Sequence, residues 1–255
     1  MLAGIASPLM SLLLAGPVVD KAADSDAGAR KVLQAIVAAA TQEAKKNPPA
    51  RGDALTEIYV RAAARAATEL PAETAGPALL LALGIALDDS TLLRNNLLLS
   101  RRIKAIEPDE ARKQRLAVLG SPTMRGRRDL CQHFAVSCTL TECVGEKLAE
   151  QLGILKEERD SRAGGSGFSF ADLQADLAGI ELAVRVKKGE IKLATLAEQF
   201  RVADFLPDHA GLDEGLNAPA FAKKYGSTSD PRFQQQVQAI RATIRKLPGH
   251  AGKKP

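Results

Sequence analysis

The chain has no tryptophan, two tyrosines and seven phenylalanines in 255 residues. With so few large rings, its core must be filled by aliphatic and small side chains, and here these are chiefly alanine and leucine. β-Branched runs are few as well. Strands favour β-branched and aromatic residues, so this composition argues against a sheet protein and for closely packed helices. The lack of rings also removes the platforms on which single-stranded nucleic acid stacks. Sequence-specific nucleic acid is therefore not an expected partner.

Cysteine is nearly as scarce. Cys131, Cys138 and Cys143 all fall on one predicted helix. At about 1.5 Å rise per residue, Cys131 and Cys138 stand roughly 10 Å apart, too far for a disulfide. No CxxC pair is present, which excludes the usual structural zinc framework. The three thiols are expected to pack as small hydrophobes.

Long apolar runs are confined to two places. Residues 1–19 read as an export signal or as an N-terminal core helix; neither Lys nor Arg follows Met1, and the segment has no cysteine for lipid attachment. Residues 77–87 are apolar but too short to span a bilayer, so no transmembrane bundle is expected. Export would place the protein in the periplasm or outside the cell, and the alternative leaves it in the cytoplasm.

The charge is mildly basic, +5 with a pI near 9.1. Much of it lies in Arg101, Arg102, Lys104, Arg112, Lys113, Arg115, Arg125, Arg127 and Arg128. Those cations read as a solvated helix face with a basic loop, or as an adaptor for an anionic envelope component such as acidic lipid or polymer.

An all-α bundle with a loop-rich C-terminal region follows from the periodicity. A flexible linker is predicted over 20–30, then helices over 28–46, from just after an Asp53 cap to about 70, over 72–87, from just after a Ser90 cap to about 107, and over 108–118. One long helix should run over 128–151. Another should start just after Ser169, where Asp172 three residues on resembles a capping box. Residues 190–230 should hold short helices, and a last helix should start after Ser229 or Asp230, with Pro231 in its first turn and Phe233, Val237, Ile240 and Ile244 on its apolar stripe. The tail 252–255 should be disordered. The organisation expected is thus 1–19, a helical region 20–125, a helical core 126–188 and a C-terminal region 189–255.

The chemistry-bearing residues concentrate in 129–180. On a helix, His133 and Ser137 share the face of Leu130, Phe134, Leu140, Val144 and Leu148, while Glu142, Glu146 and Glu150 point away. Asp176 sits mid-helix, where aspartate is a poor choice. It lies beside a small-residue stripe of Gly179 and Ala183 that lets another helix approach. A carboxylate there needs a partner, because an unpaired buried charge is costly. His133, held between Asp176 and either Asp129 or Asp172, would supply one. Such a cluster serves as a buried structural node, as an acid–base site of His133, Glu157 and Asp176, or as a divalent-metal site of Asp129, His133, Asp172 and Asp176. Lys156, Glu157, Asp160, Arg159 and Arg162 form a second charged group. A Ser–His–Asp triad through Ser137 is not expected, since no nucleophile elbow surrounds it.

Three spaced motifs carry a resemblance. They are D-x-x-Q-H-F-x-x-S at Asp129, Gln132, His133, Phe134 and Ser137; K-E-x-x-D-S-R from Lys156 to Arg162; and G-S-G-x-S-x-x-D-x-x-x-D-x-A-G from Gly165 to Gly179. Together they resemble the small bacterial envelope lipoproteins of the YfiM type and, more distantly, VanZ-like proteins. The chain departs from that pattern at Leu130, where the family commonly has lysine, and in its flanks at 1–125 and 190–255. The resemblance implies a cell-envelope setting and a shared polar site around His133, Glu157 and Asp176. The roles weighed are a non-catalytic envelope scaffold, a hydrolase-like enzyme with metal assistance, and the basic adaptor.

Overall fold

A computed structural model describes residues 17–251, and all of its regular structure is helical. The leader expected over 1–19 lies mostly outside the described residues, as does the tail 252–255.

Helix α1 spans Pro17–Ala44 and runs straight through the predicted linker. The small residues there serve packing rather than flexibility. A Cβ on Gly28 would lie 2.9 Å from the Ala78 Cβ, Ala29 is buried, and Asp26 pairs with Arg102. Helix α2 (Asp53–Thr68) starts one residue earlier than expected. Asp53 is its first helical residue, and its carboxylate accepts the backbone N–H groups of Arg125 and Gly126, each at 3.0 Å. Helix α3 (Ala72–Leu87) has the predicted bounds, and residues 78–87 are wholly buried.

The predicted helix over 90–107 is instead two, α4 (Leu92–Asn95) and α5 (Ser100–Ile106). Asn96 breaks it by taking the N–H groups of Leu98 and Leu99 on its side-chain oxygen. Helix α6 (Asp109–Val118) follows. The helix expected over 128–151 is also two, α7 (Arg128–Val144) and α8 (Glu146–Asp160). Gly145, at φ 86°, turns the chain between them. The turn takes Leu148 off the buried face and brings Glu150 to Arg241.

Helix α9 (Phe170–Lys187) packs on α7, and the stripe read from the sequence makes the contact. A Cβ on Gly179 would overlap the Phe134 carbonyl, so only glycine permits this approach. On its other side α7 meets α3, where Thr139 donates to the Leu80 carbonyl at 2.8 Å and Gly84 sits against Ala135. The C-terminal region is short-helical as expected: α10 (Leu193–Gln199), α11 (Val202–Phe205), α12 (Ala218–Tyr225) and α13 (Pro231–Arg245). Asp230 caps α13, Pro231 opens it, and its four predicted stripe residues are buried. The scarce rings gather where this region docks: Phe168, Phe170, Phe221, Tyr225 and Phe233 pack with centroids 4.5–5.9 Å apart.

The buried apolar residues form one cluster from Ala29 to Ile244, so 126–188 shares its core with the flanking regions. All three cysteines are unpaired. Among the described residues no helix is long and apolar enough to cross a membrane.

Candidate functional site

The close α7–α9 seam sets the geometry. It brings His133 Nδ1 to 3.0 Å from Asp176 Oδ1, the same oxygen that accepts from Ser137 Oγ at 2.7 Å. The other ring nitrogen, Nε2, faces Asp172 Oδ2 at 3.4 Å. Asp172 and Asp176 are one turn apart on α9, so the imidazole lies between two carboxylates. Ser137 bonds the carboxylate and not the imidazole, which excludes a Ser–His relay. The second oxygen of Asp176 is buried and has no hydrogen-bond partner. It lies against α8 at Gly153, where a Cβ would stand 2.7 Å away.

Helix α8 supplies the third acid. Glu157 is buried, one turn beyond Gly153. One oxygen takes Lys156 Nζ at 2.8 Å, and the other accepts the backbone N–H of Ser169 at 3.0 Å. This changes the meaning of the capping box at α9. Ser169 Oγ accepts from the Asp172 N–H as expected. The return bond to the cap's own N–H, which the third-position acid normally makes, comes from Glu157. Asp172 is thereby released to face His133 and Arg127.

Asp129 lines the same cleft but is not among the converging donors. Its carboxylate takes Arg127 at 2.6 and 3.1 Å, and Arg127 in turn reaches Asp172 Oδ1 at 3.2 Å. Sequence spacing placed Asp129 a turn from His133 but did not show that an arginine would claim it. Lys156 also bonds Asp160, whereas Arg159 approaches that acid only to 3.9 Å. The donors that converge are His133, Glu157 and Asp172, with one ligand atom of each within 4.8 Å of the others. Asp176 orients the ring from behind.

Burial disfavours a charged imidazole, but Asp176 and Asp172 outweigh it and push His133 up to about 9. Burial raises the Glu157 carboxyl although Lys156 opposes it. Burial raises Asp172 too, against the pull of His133. His133, Asp172, Asp176 and Lys156 line an open cleft of about 870 Å³, and Glu157 is buried beside them without lining it. Val136, Leu140 and Leu152 give it an apolar wall, and the 88–96 segment closes one side.

Most cations of the basic stretch have internal partners. Arg102 pairs with Asp26, Arg112 donates to the carbonyls of Asp88, Asp89 and Ser90, and Arg125 donates to those of Leu206 and Ala203. Arg128 pairs with Asp89. Arg115 is wholly buried with Glu107, a placement that composition did not signal.

No protein-family model, no curated protein and no solved structure matches the chain.

Proposed function

We propose that the protein acts in the cell envelope, as the YfiM-type resemblance implies, and that its cleft floor is a hydrolase-like, metal-assisted site. The observation that carries this reading is the convergence of His133, Glu157 and Asp172, with His133 and Asp172 lining an open cleft. In this reading the three hold a divalent cation, which polarises a substrate oxygen or acidifies a bound water. Asp176 fixes the ring through Nδ1 and leaves Nε2 for the cleft. Binding requires a neutral imidazole, so metal affinity rises with pH. Calorimetric titration with Zn²⁺ or Mn²⁺ tests it. One site per chain is expected, lost in Asp172→Asn and in Glu157→Gln. Absence of heat in the wild type contradicts it.

The inner half of the cluster favours a second reading, a non-catalytic envelope scaffold. Ser137, Asp176 and His133 tie α7 to α9, and Glu157 ties α8 to the start of α9. A scaffold alone predicts that His133→Ala and Asp176→Ala both destabilise, less than additively together, with no response to any metal.

A further inference from the structure

The cleft is polar at its floor, apolar along its wall and apolar again at its mouth. The chain leaves the cleft at Asn95 and Asn96 and turns outward at Leu97 and Leu98, which are 98% and 69% exposed. Single exposed leucines are ordinary, but two in succession at a turn beside a cleft are not. Leu92 and Leu155, 41% and 57% exposed, line the cleft itself. Immediately after the turn, Arg101 and Lys104 lie one turn apart on α5, and both are exposed. Neither has an ion-pair partner among the described residues. Arg159 at the cleft wall is also largely exposed. The leucines at the mouth thus stand beside free cations, the combination that seats a protein on an acidic bilayer.

We propose that the cleft opens onto an acidic lipid surface, with Leu97 and Leu98 entering the apolar layer and Arg101 and Lys104 meeting the headgroups. The substrate class is then a membrane-borne amphiphile. Its chain lies along Leu92, Val136, Leu140 and Leu152, and its polar end reaches His133 and Asp172. The substrate class rests on the working-site reading given above, whereas the seating of the turn does not.

The absence of tryptophan makes a clean reporter available. Leu98→Trp places the sole indole on an exposed side chain. With vesicles of equal parts phosphatidylglycerol and phosphatidylcholine, in chelator, its emission should shift to the blue and be quenched by brominated acyl chains. Wild-type protein should co-sediment with the same vesicles. Binding should weaken with salt and on pure phosphatidylcholine. Leu97→Ser with Leu98→Ser should reduce co-sedimentation at least about tenfold, and Arg101→Glu with Lys104→Glu should abolish the preference for acidic lipid. No shift and no co-sedimentation at low salt would overturn the proposal. So would a blue shift without vesicles that grows with protein concentration, since a second copy of the chain would then cover the turn. Vesicle binding by wild type that gives no heat with metal removes the metal site and leaves the lipid-seating turn. Metal binding without vesicle binding does the reverse.

Discussion

Two buried ionic clusters among the described residues are built differently. At the end of α3, Arg115 is 0% exposed and donates to both oxygens of Glu107 at 2.6 and 3.1 Å. It also donates to the Ala86 carbonyl at 2.6 Å and the Asp88 carbonyl at 3.4 Å. Arg94 approaches the same glutamate and gives its remaining donors to the Glu107 carbonyl and to Asp109. The cluster is closed, and its cations neutralise the negative end of α3. The His133 cluster has an acid with a bare buried oxygen, donors facing a cleft, and carboxyls that burial raises. A charge cluster that only holds helices together is expected to look like the first, because unsatisfied buried groups cost stability. The second carries an unmet demand on the side of the cleft.

The largest effect is expected where the closed cluster is broken. Arg115→Ala strands Glu107 and should cost about 3–5 kcal/mol. At about 2–4 °C per kcal/mol for a chain of this size, the melting temperature should fall by roughly 10 °C or more. A fall of only a degree or two would show that the cluster is not closed as described.

Asp176→Ala should cost somewhat less, on the order of 3 kcal/mol, because Ser137 and His133 both lose an acceptor. Asp129→Ala is the control. Asp129 faces Arg127 near the surface and should change the melting temperature little. Equal losses from the two substitutions would erase the distinction between the inner carboxylate and the outer one.

The pH dependence sharpens the comparison further. Asp172 and Asp176 face His133 from α9, and Lys156 and Glu157 face it from α8. In chelator, the folded imidazolium titrates near 9 against an ordinary value of 6.5. A raised value means stability fully present below about 6.5 and lost as pH climbs through 9. Wild type should therefore melt several degrees lower at the top of that window than at the bottom. His133→Ala should lack this component of the slope. Arg115→Ala should keep it, since His133 and its two carboxylates are untouched.

Gly153→Ala should show the smallest effect. Its Cβ would meet the bare Asp176 oxygen at 2.7 Å, and a modest shift of the side chain relieves the contact. About 1–2 kcal/mol is expected, with a larger relative change in metal binding than in melting. The reverse pattern would mean that Gly153 serves helix packing alone.

How much of this was legible in the sequence depended on range. Helices α3 and α13 and the α9 cap followed from local signals: an apolar run, an Asp–Pro start and a Ser-x-x-Asp spacing. The His133–Asp176 contact was legible because a mid-helix aspartate beside Gly179 needs a partner, and one histidine lay on a matching face. What escaped depended on the tertiary path. Alanines and glycine at 22–29 looked like a linker, because small residues suit both a flexible chain and a close helix crossing. Gly145 carried a C-terminal signal, but the apolar residues beyond it continued the helical period and masked the turn. Without that turn, Gly153 could not be placed against Asp176, and the return bond from Glu157 to Ser169 could not be foreseen. Asp129 was placed beside His133 by its spacing, but its carboxylate bonds Arg127 two residues before it. Arg115 looked like one solvated cation among nine, since burial of an arginine depends on an acid and carbonyls that only the fold brings to it.

The most direct test of the open cluster is thermal melting in chelator and then with excess Zn²⁺ or Mn²⁺, for wild type, His133→Ala, Asp172→Asn and Arg115→Ala. The account predicts that metal raises the melting temperature of wild type by several degrees, as ligand binding to the native state requires. Arg115→Ala should show the same rise from a lower starting point, while His133→Ala and Asp172→Asn should show none. A wild type that melts identically with and without metal, or a His133→Ala variant that responds as wild type does, would contradict the claim that this cluster is a working site.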